Sequence, residues 1–126
     1  MASILAVDDS YSMRQAVSLT LQGGGHDVVV AEDGLAALQI ARGQSFDLVL
    51  TDLVMPEVDG IELVAELRKL TEFENTPLFI LTTQNDDKAR QAGRAAGASG
   101  WIVKPVNPDQ LLVLVRQSLM RQSAMA

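Results

Sequence analysis

The chain has 126 residues, 16 of them acidic and 10 basic, a formal net charge of −6, 48% hydrophobic residues and no cysteine. That length suits one ordinary domain, the negative charge argues against binding nucleic acid directly, and the absence of thiols excludes disulfides and thiolate chemistry. No apolar run approaches the length of a membrane span, and the opening Met1-Ala2-Ser3-Ile4-Leu5-Ala6-Val7 meets Asp8-Asp9 without a basic region, so neither membrane insertion nor a signal peptide is expected and a cytoplasmic location is the simplest reading.

The first β-rich run is Ser3–Val7. From Ser10 to Gln22 the spacing predicts a helix with Met13, Ala16, Val17 and Leu21 on one stripe. Gly23-Gly24-Gly25 should stop it, because glycine readily takes the left-handed conformation that closes helices. A second strand over Asp27–Ala31 leads to a helix from Gly34 to Ala41, with Gly43 following. The third unit is a strand over Asp47–Thr51 and a helix over Gly60–Leu70, whose apolar positions are Ile61, Leu63, Val64 and Leu67. The fourth is Pro77–Leu81 with a helix over Asp86–Ala96, where Asp86 and Asp87 favour a helix start. The fifth is Gly100–Val103 with a helix over Pro108–Met120, capped by Asn107 and carrying proline in its first turn.

Ile4-Leu5-Ala6-Val7, Leu48-Val49-Leu50 and Leu78-Phe79-Ile80-Leu81 are apolar on both faces, as strands covered by helices on each side must be. Five β-then-α units predict an α/β domain over residues 1–126: a doubly wound, five-stranded parallel sheet with right-handed crossovers and five helices. The flavodoxin-like strand order 2-1-3-4-5 is the leading choice. Sheets of this kind bind ligands beyond the carboxyl ends of their strands, at the switch point between the first and third.

The residues after each strand are therefore the ones to inspect. Asp8 and Asp9 follow the first, Asp52 the third, Thr82 and Thr83 the fourth, Lys104 and Pro105 the fifth. Each alone has an ordinary reading: an N-cap pair, a loop acid, a strand end, a surface turn. Together they place three carboxylates, hydroxyls and one ammonium on one edge. Crowded carboxylates repel one another, and a hard cation such as Mg²⁺, which favours a few carboxylates plus water, relieves them. Asp52, at the end of the middle strand, is the best placed nucleophile. A phosphoryl group there would need its charge spread over metal, donors and a cation. Thr82 offers a hydroxyl, Lys104 an ammonium, and the backbone N–H groups of Leu53 and Thr83 two further donors.

These residues lie in motifs that resemble the receiver domains of bacterial two-component response regulators, and within them the single-domain CheY-like type. The motifs are Val7-Asp8-Asp9-Ser10, Asp52-Leu53-Val54-Met55-Pro56-Glu57-Val58-Asp59-Gly60, Leu81-Thr82-Thr83, and Gly97-Ala98-Ser99-Gly100-Trp101-Ile102-Val103-Lys104-Pro105. The resemblance implies a phosphorylation-controlled switch with no outside substrate beyond its own phosphoryl transfer and hydrolysis. It implies Asp52 as phosphoacceptor, a histidine kinase as donor, and Mg²⁺ held by Asp9, Asp52 and the Val54 backbone carbonyl, with Asp8 acting through water. It implies that Thr82 and Lys104 contact the phosphoryl group, that Trp101 is the aromatic switch moving with Thr82, and that the bond before Pro105 is cis. The sequence departs from the common pattern in having the larger Trp101 where tyrosine or phenylalanine is usual, Thr83 for alanine, and Val106 for an aromatic. Val54 and Gln84 stand at variable positions that tune dephosphorylation in relatives.

Two other classes are weighed by single positions. An aspartyl-nucleophile Mg²⁺ phosphatase wants an acid two residues beyond the nucleophile, and that residue is Val54. A flavodoxin-like cofactor binder wants a phosphate-cradling loop after the first strand, where Asp8-Asp9 stands. In the last helix Leu111, Val115 and Leu119 should face the sheet, with Leu112 and Leu114 flanking and Val113 pointing away. An apolar run that one side cannot bury suggests a partner face on the fourth helix, fifth strand and fifth helix, formed by Arg90, Arg94, Trp101, Val113 and Leu114, for a downstream protein or a second copy. Chemotaxis is the favoured setting; a phosphorelay intermediate or a kinase regulator is the alternative. His26, after three glycines, reads as a loop residue.

Overall fold

In a computed structural model, residues 2–125 are described. Five parallel strands, β1 (Ser3–Val7), β2 (Asp27–Ala31), β3 (Leu48–Asp52), β4 (Leu78–Thr82) and β5 (Gly100–Val103), form one sheet in the order β2-β1-β3-β4-β5. The helices are α1 (Tyr11–Gly23), α2 (Gly34–Gly43), α3 (Gly60–Leu67), α4 (Asp87–Ala96) and α5 (Pro108–Met125), with a short 3₁₀ turn at Thr71–Phe73. The doubly wound α/β fold expected from the sequence is the one observed.

The sheet is buried on both faces. Ile4, Ala6, Leu48, Leu50 and Phe79 pack with Val17 and Leu21 of α1 and Leu111 and Val115 of α5. Leu5, Val7, Val49, Leu78 and Ile80 point the other way, onto Ala37 and Leu38 of α2 and Leu63, Val64 and Leu67 of α3. Alternation along each strand thus feeds two cores.

Caps set where the helices begin. The side chains of Ser10, Asp33, Asp59 and Asp86 accept N–H bonds in the first turns of α1, α2, α3 and α4, and Asn107 accepts those of Asp109 and Gln110 at the start of α5. Each satisfies donors that the helix leaves orphaned.

Several boundaries differ from expectation. β3 and β4 each lie one residue later, so that Asp52 and Thr82 close their strands. α3 stops at Leu67 instead of Leu70 because the chain turns there into the 3₁₀ segment that buries Phe73. α1 ends as predicted in the glycine run, but its cap Gly24 has φ −86°, and the left-handed residue is Gly25 at φ +89°. On α5 the third buried position is Ser118, and Leu119 is only half-buried. His26 sits in the loop before β2, its Nδ1 accepting the Ala2 N–H at 3.3 Å.

Candidate functional site

Parallel register carries the strand ends to one edge. Val7 pairs with Thr51, Asp52 with Leu81, and Thr82 with Val103. The next residues out are Asp8, Leu53, Thr83 and Lys104. Carboxylate oxygens of Asp8, Asp9 and Asp52 lie within 4.8 Å of one another. Lys104 Nζ stands 3.2 Å from Asp8 Oδ2 and 3.3 Å from Asp52 Oδ1. These pairs are largely buried, with the lysine side chain 15% exposed and those of Asp8 and Asp52 9% and 13%.

Each carboxylate has a different degree of freedom. Asp8 is buried and held at both oxygens: Oδ1 accepts the Ser10 N–H at 2.8 Å, and Oδ2 faces Lys104. Arg14 donates to the Asp8 backbone carbonyl at 2.7 Å. Asp9 is exposed. Asp52 has one oxygen engaged, Oδ1, which accepts the Leu53 N–H at 2.9 Å and faces Lys104. Its Oδ2 has no hydrogen-bond donor among the described residues.

Three carboxylates face one ammonium here, so negative charge is in excess. Burial, and then the charge of Asp8, push the Asp52 pKa above the usual carboxylate value, and Lys104 and the Leu53 N–H only partly offset this. An all-oxygen cluster with surplus negative charge at a half-open edge fits a hard divalent ion.

The remaining expected residues are placed as follows. Thr82 is buried at the end of β4, with Oγ1 accepting the Gln84 N–H at 3.1 Å. Thr83 is exposed. The side chain of Val54 is exposed in the loop after β3. Lys104–Pro105 is a cis peptide. Trp101 is half-buried, and its Nε1–H donates to the Gln84 carbonyl at 2.9 Å. The backbone of Gln84 thus links the hydroxyl of Thr82, through its N–H, to the indole of Trp101, through its carbonyl. Arg90 and Arg94 are exposed on α4, Val113 is exposed and Leu114 half-buried on α5. These last four lie away from the carboxylate cluster.

Three supporting residues were not found from the sequence. Arg14 locks the Asp8 backbone. Gly60 lets α3 approach β3, since a Cβ there would collide with the Asp52 carbonyl oxygen, and the Gly60 N–H donates to the Leu53 carbonyl at 2.8 Å. Gly93 makes a slot on α4 for the Trp101 ring, whose Cζ3 would lie 3.0 Å from a Cβ at that position. The glycines themselves were the available signal: a helix-start Gly60 and a mid-helix Gly93 both cost backbone entropy, which close packing explains. A mostly apolar groove of about 350 Å³ opens beside Lys104, lined by Met13, Ala16, Thr20, Thr83, Pro105 and Val106.

A 2-1-3-4-5 parallel sheet with an aspartate triad and a lysine at its carboxyl edge defines the class of α/β receiver domains. Residues 4–116 match the response regulator receiver domain, and the chain belongs to that family. Members are signalling switches of two-component systems, controlled by phosphorylation; they interact with histidine kinases and downstream effectors and generally bind Mg²⁺ at an acidic pocket. Among solved structures, the chemotaxis response regulator CheY4 of Vibrio cholerae shares 44% identity and a TM-score of 0.90, over 94% of this chain and 98% of that one. A CheY-like receiver domain protein from Methanospirillum hungatei reaches a TM-score of 0.94 at 27% identity, over 100% of this chain and 99% of that one. Response regulator ArlR of Staphylococcus saprophyticus is 34% identical over 97% of this chain and 54% of its own length. The CpxR homolog of Haemophilus influenzae, a transcriptional regulatory protein, is 36% identical over 98% of this chain and 52% of its own. The chain therefore spans about half the length of the curated relatives it matches. Among the described residues, no helix is long and apolar enough to cross a membrane.

Proposed function

We propose that residues 1–126 act as one receiver domain in the cytoplasm, taking a phosphoryl group from a kinase phosphohistidine onto Asp52 and signalling through α4, β5 and α5. The observation that carries this is the asymmetry of Asp52: Oδ1 is fixed by the Leu53 N–H and Lys104, and Oδ2 has no donor among the described residues. Oδ2 is the attacking oxygen. It forms the O–P bond as the P–N bond to imidazole breaks, and the leaving imidazole keeps its proton. Lys104 then lies against the acyl phosphate, and the N–H groups of Leu53 and Thr83 donate to its oxygens. Asp9, Asp52 and the Val54 carbonyl would hold Mg²⁺, with Asp8 behind them through water, and the ion would supply charge neutralisation of the phosphoryl oxygens. The Thr82 hydroxyl accepts the Gln84 N–H and keeps its own proton to donate, and a move of that hydroxyl toward a phosphoryl oxygen draws it off the Gln84 N–H. That loosens the residue whose carbonyl holds Trp101 and so conveys the event to the output face. The groove beside Lys104 supports the approach of a histidine-bearing partner.

A setting in chemotaxis is supported by the higher identity to the Vibrio cholerae chemotaxis regulator, 44%, than to the transcriptional regulators, 34% and 36%. Self-association through α4, β5 and α5 is the competing use of that face, and its charge weighs against it.

The test treats wild type and Asp52→Asn with Mg²⁺ and a small covalent phosphodonor, then follows intact mass and the fluorescence of Trp101, the one tryptophan. The wild type gains one phosphoryl mass and its fluorescence changes; the variant shows neither. Equal labelling of both proteins refutes Asp52 as acceptor.

A further inference from the structure

We infer that the amino edge of the sheet carries a ligand site of its own, for a small organic monocarboxylate with an apolar body. The site lies at the end of the domain opposite Asp52, and α4 takes no part in it.

A cavity of about 180 Å³ opens between the chain entering β4, the chain entering β5 and the later part of α5. Its apolar lining is Pro77, Phe79 and Leu114. The Phe79 ring can lie there because Gly100 has no side chain: a Cβ on Gly100 would come within 2.6 Å of the ring. The polar lining is Asn75, Ser99, Gln117, Ser118 and Arg121. No carboxylate lines the cavity, on a chain with 16 acids and a net charge of −6. Glu74, beside Asn75 in sequence, is exposed and stands outside the lining.

Ser118 departs from the pattern of its helix. It takes the third inward position of α5, after Leu111 and Val115, where a helix packed on a sheet ordinarily carries an aliphatic side chain. It is 8% exposed, lines the cavity, and its hydroxyl takes part in no hydrogen bond among the described residues. A buried hydroxyl without a partner is costly, so an occupant that brings an oxygen is favoured over one that does not. Ser99 Oγ already accepts the Leu78 N–H at 3.0 Å and faces an Arg68 nitrogen at 3.3 Å, which leaves its proton to offer. Arg121 is exposed, has no carboxylate partner among the described residues, and supplies only donors. Asn75 and Gln117, also exposed, can turn their amide N–H groups inward. Donors therefore predominate, one of them charged, beside an apolar wall.

That combination selects a chemistry. A bare inorganic anion would meet Arg121 and the hydroxyls but leave Phe79 and Leu114 against water. A hydrocarbon would leave Ser118 unbonded, and an amine would face the charge of Arg121. A carboxylate on a small ring or branched chain meets every demand, with its oxygens on the hydroxyl and guanidinium donors and its body on Phe79 and Leu114. At about 180 Å³ the cavity is smaller than the roughly 300–1,000 Å³ of sites for drug-sized ligands, which limits the occupant to a single ring or a short branched chain.

The probes are benzoate, benzyl alcohol, benzylamine and inorganic phosphate, which separate the ring from the charge. Each is titrated at neutral pH and constant ionic strength into the full chain, and binding is followed by the ¹H–¹⁵N shifts of its amides. Benzoate is expected to bind saturably at roughly millimolar concentration, shifting Ser99, Gln117 and Ser118, and about fivefold more tightly than benzyl alcohol. Benzylamine and phosphate should not saturate these shifts. Arg121→Gln should erase the advantage of benzoate over benzyl alcohol, and Ser118→Ala should weaken benzoate about threefold. Leu114→Trp, which fills the cavity, should abolish binding of both ring compounds. Equal affinity of benzoate and benzyl alcohol for the wild type overturns the inference, as does phosphate binding as tight as that of benzoate. So does benzoate binding that is unchanged in both Arg121→Gln and Ser118→Ala, two surface-compatible changes that leave the result independent of whether the tryptophan variant folds.

Discussion

The two ends of the sheet each hold one largely enclosed cation, and they use it in opposite ways. At the carboxyl edge Lys104 faces the carboxylates of Asp8 and Asp52, with Asp9 close by. At the amino edge Arg68, at the end of α3, donates to backbone carbonyls: Nε to Gly97 at 2.9 Å, and one terminal nitrogen to Phe73 at 2.6 Å and Thr76 at 2.7 Å. Its other terminal nitrogen reaches Ser99 Oγ at 3.3 Å, and that oxygen also accepts the Leu78 N–H. Burial pushes the guanidinium pKa down, yet arginine stays charged across the useful range. Carbonyl dipoles neither titrate nor recruit metal ions strongly, so Arg68 is a fixed clamp joining α3 to the starts of β4 and β5. Carboxylates do both, so the Lys104 edge can respond to protons and cations and, on the function proposed above, to a phosphoryl group. One scaffold separates the part that must not change from the part that must.

The contrast can be broken most decisively at the clamp. Arg68→Met removes the guanidinium donor from four carbonyl oxygens and one hydroxyl and should cost about 3 kcal/mol in urea unfolding. That loss should be insensitive to Mg²⁺, and a loss that Mg²⁺ restores would erase the distinction between the two edges. Lys104→Met is the matching change. It should cost about 2 kcal/mol without divalent ions, because the carboxylates lose the one cation paired with them among the described residues, and millimolar Mg²⁺ should recover much of the loss. The smallest effect concerns Asp52 alone. Its folded-state pKa is raised, so the native state holds that proton more tightly than the unfolded chain. The corresponding stability is fully present below the ordinary carboxylate pKa and is lost as pH rises through the folded value. In the presence of a chelator, Asp52→Asn should therefore melt a few degrees higher than wild type at neutral pH. Near pH 3 the two should melt together. A gain at low pH that vanishes at neutral pH would reverse the sign and remove the excess-charge reading of the pocket.

Much of this was legible in the sequence, and the reason is periodicity. Runs such as Leu78-Phe79-Ile80-Leu81 admit few roles other than a doubly covered strand. Once the strands are ordered, the acids and the lysine after them have to meet at one edge. The amino edge was not legible. Arg68 looks like any late-helix base, and its acceptors are backbone atoms spread over residues 73–99, which carry no side-chain signature. The early end of α3 escaped for a related reason: the short turn that buries Phe73 is stabilised by tertiary packing and not by local pattern. The Gly93 slot depends on where the Trp101 ring lies, a matter of helix-on-strand placement that helical spacing cannot supply.

The loop from Leu53 to Gly60 is clipped shut at its base. The Gly60 N–H reaches the Leu53 carbonyl, and no side chain fits between Gly60 and the Asp52 backbone. Its middle is another matter: Val54 is 60% exposed, and Glu57 takes a left-handed turn at φ +65°. A span pinned at both feet isolates its crest. Side chains on that crest can be exchanged without moving the backbone that aims the aspartate beneath.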